Sequence, residues 1–237
     1  MADKDYQINV GDKQLTLKVS DWAEQASGSV LCRMGDTLVM VNAVMASPRP
    51  NLGFFPLTVE YEEKFYAAGR ILGSRYMRRE GKPADEAVIT ARLIDRAIRP
   101  LFPDHLANEI QVVVTCLSWD GENDPDVLGL LGASLALGIS DVPWAGPLGA
   151  VRVGRKDGKL ILNPTYEDRE KVDMDFLFSV VKEGDELLVN MIEAEAEEAD
   201  EATFEEALSF ATPALLEMLK LQQTIARDHG KQKLVLP

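Results

Sequence analysis

Asn123-Asp124-Pro125-Asp126, followed by Val127-Leu128-Gly129-Leu130-Leu131-Gly132-Ala133-Ser134-Leu135-Ala136-Leu137, is the stretch on which the fold turns. Asp124 carries the short side chain of a helix N-cap, able to accept from the free N–H groups of a first turn, and Pro125 suits the first helical position, where no N–H is needed. The helix that follows is lined by Gly129, Gly132, Ala133, Ser134 and Ala136. Small side chains let its backbone approach a sheet or another helix closely. Just before it, Ile110 to Leu117 reads as a buried strand.

Upstream the chain reads as β-structure. Leu15, Leu17 and Val19 alternate with polar neighbours, and Ser29 to Arg33 leads through Met34-Gly35-Asp36 into the apolar run Leu38 to Val44. Gly11-Asp12 and Gly35-Asp36 mark two hairpin turns. After Pro48 and Pro50, Phe54-Phe55-Pro56-Leu57-Thr58-Val59 reads as a further strand. Gly69 to Pro83 is rich in Gly and Arg and has no periodicity, so it is expected as a long loop, and such loops in compact domains usually serve function or are disordered. A helix follows, with Ile94, Ala97, Ile98 and Leu101 on one stripe and Pro100 and Pro103 at its end.

Downstream, strands are expected at Gly149 to Val153, Leu160 to Leu162, Asp175 to Val181 and Glu186 to Ile192, then a long helix to about Asp228 that Pro213 should kink or split. Strands and helices mixed without regular βαβ alternation predict an α+β fold rather than a doubly wound sheet. The 237 residues are enough for one large core or two small ones; with no repeat and no evident linker, a single domain over 1–237 is expected.

The net charge of −14 argues at first against a polyanionic ligand. The charge is segregated, however. Glu183 to Glu206 holds 11 acids and no Lys or Arg, which reads as a solvated helix face, whereas Tyr61 to Pro100 holds 9 Lys or Arg against 6 acids. Within that basic stretch Arg92, Arg96 and Arg99 fall at i, i+4 and i+7, a row of guanidinium groups on one helix face, or partners for Asp95 and nearby acids. Cys32 and Cys116 sit in apolar, strand-like surroundings and are expected as buried thiols of a reducing compartment. His105 and His229 offer neither a ligand set nor a general base with an evident partner. Met1 to Asp5 lacks the layout of a signal peptide and no apolar run reaches bilayer-spanning length, so a soluble, cytoplasmic protein without a membrane partner is expected.

Several strings together carry a resemblance: Ala67-Ala68-Gly69-Arg70, Arg78-Arg79-Glu80-Gly81-Lys82-Pro83, Arg92-Leu93-Ile94-Asp95-Arg96 and Ile98-Arg99-Pro100-Leu101-Phe102-Pro103, continued by Val142-Pro143 and Leu162-Asn163-Pro164-Thr165. In this order they resemble the first ribonuclease PH-like domain of the polynucleotide phosphorylase family. The resemblance implies a ribosomal protein S5 domain 2-like fold, a mixed sheet with packed helices. It implies a part in 3′-to-5′ phosphorolytic degradation of mRNA, as the RNA-channel and ring-scaffold half of a homotrimer. Its partners would be single-stranded RNA, a second ribonuclease PH-like domain, KH and OB-fold modules and degradosome proteins. Inorganic phosphate would be the co-substrate, with Mg²⁺ expected in the second domain. A stand-alone phosphorolytic ribonuclease and a purely structural assembly domain are the competing readings.

The family's motifs assign residues unevenly. The loop Tyr76-Met77-Arg78-Arg79 corresponds to one that carries two aromatics and two arginines and narrows the channel; here Arg75 is inserted and Met77 replaces one aromatic. Single strands are held in this way, by an aromatic platform plus cations. Arg92, Arg96 and Arg99 are the second RNA-contact candidates. Where the family's catalytic domain cradles phosphate with a Ser-rich helix start, this chain has Asp124 and Asp126, which repel an anion, and Pro125, which lacks a donor. No catalytic residue is therefore expected. Asp173 and Asp175 resemble that domain's metal-binding pair, with alternating carboxylates on one strand. Yet Leu177 replaces its lysine and Arg169 stands at its upstream aspartate, with Asp168 one position off, so both a metal ligand and a plain surface carboxylate remain open for Asp175.

Overall fold

The computed structural model describes residues 4–48, 53–71, 73 and 81–235. Among the described residues ten strands form two sheets. The first contains β1 (Asp5–Val10), β2 (Lys13–Val19), β3 (Gly28–Met34), β4 (Thr37–Pro48), β5 (Leu57–Glu63) and β6 (Asn108–Ser118) in the order β1-β2-β3-β4-β6-β5. Among the described residues only the β5–β6 pair is parallel. Both expected hairpin turns close as read, with Gly11 and Gly35 at positive φ, which glycine adopts without a Cβ clash. The second sheet contains β7 (Leu148–Lys156), β8 (Lys159–Leu162), β9 (Met174–Glu183) and β10 (Glu186–Ala196), fully antiparallel in the order β10-β9-β7-β8.

Helix α1 (Asp85–Ile98) covers β5, and α2 (Pro125–Ile139) lies against β3, β4 and β6 on one side and β7 on the other. The one-turn helix α3 (Tyr166–Arg169) precedes β9, and α4 (Glu201–His229) packs on β7, β9, β1 and α2. Of the fifteen residues of α2, only Asp126 and Gly138 escape full burial. A helix apolar on all sides belongs between layers, and this one is the pillar of a core that joins both sheets. Its small residues permit the approach: a Cβ on Gly132 would lie 2.5 Å from Val41 Cγ2, and one on Gly28 of β3 would lie 2.1 Å from the carbonyl oxygen of Ala136.

Three expectations are corrected. The strand expected from Phe54 begins at Leu57, because Pro56 has no N–H to offer; its carbonyl accepts from Ile110 N at 3.0 Å and starts the β5–β6 ladder. Pro213 does not split α4, which runs unbroken from Glu201 to His229. One lost hydrogen bond is outweighed by Ala211, Leu215, Met218 and Leu219, buried on both sides of the proline. The acidic run is solvated but is not a helix face: it spans the β9–β10 turn at Gly184, the exposed end of β10 from Ile192 to Ala196, and only the first turns of α4.

Both cysteines are free and buried, and burial pushes their thiols up, Cys32 to about 12 and Cys116 to about 11. His105 is exposed. His229 has a partner that the sequence did not suggest, the Tyr6 hydroxyl at 2.9 Å. That hydroxyl donates to Asp228 Oδ2 at 2.8 Å, so His229 Nε2 is the donor in the pair, and together they fasten β1 to the end of α4. Among the described residues no helix is long and apolar enough to cross a membrane.

Candidate functional site

The start of α2 is built as read, with a different chemistry around it. Asp124 is the N-cap and its Oδ1 accepts from Asp126 N at 2.9 Å. Its other oxygen, Oδ2, accepts from Arg169 Nη1 at 2.9 Å and lies 3.2 Å from Arg152 Nη2. The same two arginines hold Asp175: Arg152 Nη1 reaches Oδ1 at 3.0 Å and Arg169 Nε reaches Oδ2 at 2.8 Å. Two carboxylates and two guanidiniums thus alternate in a closed ring that ties α2, β7, α3 and β9 together. The side chains of Asp124, Arg152 and Asp175 are at most 10% exposed, so the charges are affordable only because each faces two of opposite sign.

A neutral ring leaves one carboxyl beside it without a cation of its own. Asp126, hydrogen-bonded to Thr90 of α1, is pushed well above the usual carboxylate range, first by burial and then by the neighbouring Asp124. The loop ahead of α2 shows the opposite case. Asp120 is partly buried, but N–H groups of Asn123 and Glu122, the Asn123 amide and the Thr37 hydroxyl all donate to it, and they hold it well below that range.

An anion arriving at this helix start meets the Asp124 carboxylate already seated on the Asp126 N–H. A divalent cation fares no better. Mg²⁺ needs carboxylate oxygens that are not already neutralised, and both oxygens of Asp175 are taken by arginines. Asp173 does not converge with it: it lies just before β9, exposed, with both oxygens on Arg155 Nε at 2.9 and 3.1 Å. Asp168 is turned away to Lys156 Nζ at 2.6 Å. Among the described residues no group of three or more His, Cys, Asp or Glu is placed to hold a metal, and the residues present do not fit Mg²⁺. Arg152, the centre of this arrangement, was not singled out from the sequence. Its signal was there, a lone arginine in the otherwise apolar Gly149-Ala150-Val151-Arg152-Val153, where a buried charge demands a partner.

The arginine row lies beside a cleft of about 1020 Å³ between β5 and α1. It is not a uniform basic stripe. Arg96 pairs with Glu193 of β10 and donates to Ile192 O at 3.2 Å. Arg99, in a 3₁₀ turn just past α1, grips Asp95 through Nε at 2.9 Å and Nη2 at 2.6 Å and donates to the carbonyls of Phe55 and Leu57. Arg92 is exposed and has no ion pair among the described residues. Glu60, Glu62, Asp95 and Glu193 line the same cleft, so its carboxylates offset its arginines. Tyr76, Met77, Arg78 and Arg79, the other RNA-contact candidates, lie outside the described residues.

Comparison with known proteins agrees with this architecture. The profile described as 3′ exoribonuclease family, domain 1, matches residues 12–143, and that of domain 2 of the same family matches 146–214. The polyribonucleotide nucleotidyltransferase of Thermus thermophilus is 45% identical over 229 residues, covering 97% of this chain and 31% of the relative. That of Heliobacterium modesticaldum is 44% identical over 233 residues, covering 98% and 32%, and that of Thermomicrobium roseum 46% over 227, covering 95% and 28%. The chain therefore spans about a third of the length of the curated relatives it matches. The crystal structure of rice (Oryza sativa) Rrp46 superposes with a TM-score of 0.72 at 12% identity, over 89% of this chain and 94% of that one, a likeness of fold. With more than half its length matched by the first profile and the fold shared, the chain belongs to the 3′ exoribonuclease family, with the ribonuclease PH-like fold.

Proposed function

We propose that this chain is the RNA-channel and scaffold half of a polyribonucleotide nucleotidyltransferase, a 3′-to-5′ phosphorolytic exoribonuclease of mRNA degradation, and that another part of the same polypeptide breaks the bond. In that reaction an oxygen of inorganic phosphate attacks the last phosphodiester, the P–O3′ bond breaks and a nucleoside diphosphate leaves. The observation that carries the division of labour is the closed ring of Asp124, Arg152, Asp175 and Arg169. A carboxylate sits where the phosphate would be held and a guanidinium sits beside the carboxylate that would hold a metal, so this unit keeps the shape of a phosphorolytic site with its own side chains as occupants. Relatives named polyribonucleotide nucleotidyltransferase, of which the chain spans about a third, support the wider assignment.

On this reading residues 1–237 form one ribonuclease PH-like domain of a cytoplasmic homotrimer, joined to a second such domain that holds phosphate and Mg²⁺, to KH and OB-fold modules, and to degradosome partners. Single-stranded RNA is gripped by Tyr76, Met77, Arg78 and Arg79, with Arg92 as the member of the helix row free to join them. The test uses single-stranded RNA, Mg²⁺ and phosphate. The full-length protein releases nucleoside diphosphates and this chain alone does not; an Arg78→Ala, Arg79→Ala double variant of the full-length protein binds RNA more weakly and with a shallower salt dependence. Release by the chain alone, abolished by Asp175→Asn, would establish the stand-alone ribonuclease instead. Unchanged affinity and salt dependence in the double variant would leave only the structural role.

A further inference from the structure

We propose that a single buried water molecule is a built-in member of the closed ring, hydrogen-bonded between Arg152, Asn163 and Asn123 beneath the first turn of α2. A cavity of about 10 Å³ lies there, with Asn123, Asp124, Arg152 and Asn163 as its polar walls and Val127 and Pro164 among its apolar ones. Arg152, Asn163 and Asn123 are each 6% exposed. Each contributes a buried polar atom with no hydrogen-bond partner among the described residues: Arg152 Nε, Asn163 Nδ2 and Asn123 Oδ1.

The other atoms of the three side chains fix which ends are left over. Asn163 Oδ1 accepts from the backbone N–H of Arg152 at 2.9 Å, so its amide nitrogen is the spare end. Asn123 Nδ2 donates to Asp120 Oδ2 at 2.7 Å, so its oxygen is spare. The two terminal nitrogens of Arg152 are committed to Asp175 and Asp124, which leaves Nε. Four separate bonds therefore leave two donors and one acceptor on the residues that wall one small space.

That combination selects the occupant. It must accept from Arg152 and Asn163 and donate to Asn123, which water does with a hydrogen to spare for the Asp124 carboxylate. A metal cation would sit against the Arg152 guanidinium, and an anion would sit against the Asp124 carboxylate and the Asn123 oxygen. Size gives the same answer, because a space of this volume takes about one water and nothing as large as phosphate. The water holds the third edge of the Arg152 guanidinium, whose other two edges hold Asp175 and Asp124, and so sets the geometry of the ring. None of this depends on the RNA-guiding assignment.

The test is a crystal structure of the full-length protein at about 1.5 Å resolution, solved also for an Asn163→Leu variant. In the parent a water peak is expected within about 2.7–3.2 Å of Arg152 Nε, Asn163 Nδ2 and Asn123 Oδ1 together. In Asn163→Leu the peak is absent, and the equilibrium constant for unfolding rises about ten-fold as buried donors lose their partner. The proposal is overturned if the parent shows no peak there, if the three side chains have turned to bond one another directly, or if the density is that of a bound ion.

Discussion

Arg152 of β7 and Asp124 at the start of α2 meet at 3.2 Å with both side chains more than nine-tenths out of solvent, so the second sheet is fastened to the central helix by a buried charge pair. The pair is half of a ring, and a ring responds to damage differently from an isolated bridge. Replacing Arg152 with Met leaves Asp124 and Asp175 facing each other across Arg169 alone. A loss of about 3–5 kcal/mol is expected, since removing one member of a buried pair strands the other. Arg169→Ala should cost less, because the Arg169 side chain is 27% exposed and water can replace it. Chemical denaturation of both variants checks the order; equal losses would mean that the deeper burial of Arg152 gives it no larger share in the ring than Arg169 has.

The same ring predicts an unusual response to pH at Asp126. Its folded carboxyl is raised to about 7 by burial and by Asp124, whereas an unfolded Asp titrates near about 4. As pH falls through this window the folded state takes up the proton first, so this group adds stability as pH falls and subtracts it as pH rises. Asp126→Asn should therefore raise the melting temperature at pH 8 by about 2–6 °C, a gain of about 1–2 kcal/mol, and make no difference at pH 4. Thermal denaturation at both values tests the sign. Asp120 works in reverse: held low by five hydrogen bonds, its contribution is lost as pH falls through its folded value, and Asp120→Asn should destabilise the protein at neutral pH.

Local chemistry made the elements readable and long-range pairing made the site unreadable. Asp124 and Pro125 announced the start of α2, and Gly35-Asp36 announced a hairpin, because caps and turns are settled within a few residues. The alternation in β2 placed Leu15 and Leu17 inward. Arg169 could be seen at the position of the family's aspartate, but the ring needs Arg152 and Asp175 brought to it from β7 and β9, and no spacing along the chain encodes that meeting. Helical spacing put Arg92, Arg96 and Arg99 in one row. The fold then spent two of them on Glu193, Asp95 and the edge of β5, which a helical wheel cannot show.

Two glycines near the central helix give opposite predictions for the same substitution. Gly28→Ala places a methyl 2.1 Å from the Ala136 carbonyl oxygen and 3.3 Å from Ser140 Cβ, and the first of these is backbone that cannot step aside. Strand and helix must separate, at a cost of about 1–3 kcal/mol or more. Gly138→Ala, in the last turn of α2, meets nothing within 4 Å and should stabilise by up to about 0.5 kcal/mol through helix propensity. Denaturant midpoints of the two variants should move in opposite directions, and a shift of the same sign in both would contradict the packing of β3 on α2.

Arg92 and Arg99 separate an RNA contact from a structural one. Arg99 binds Asp95 through two nitrogens and covers the carbonyls of Phe55 and Leu57, at the exposed edge of β5. Such coverage also keeps an edge strand from pairing with a stranger. Arg99→Ala should lower stability by about 1 kcal/mol and leave RNA affinity in the full-length protein unchanged. Arg92 is exposed, lines the cleft and has no ion pair among the described residues, so Arg92→Ala should change stability by less than about 0.5 kcal/mol. If it meets a phosphate, its loss weakens binding equally for all RNA sequences and reduces the slope of log affinity against log salt by about 1. Filter-binding titrations at several salt concentrations read both quantities. A slope unchanged in Arg92→Ala, beside a lowered slope in Arg78→Ala, would confine RNA to the loop and leave the helix row to the fold.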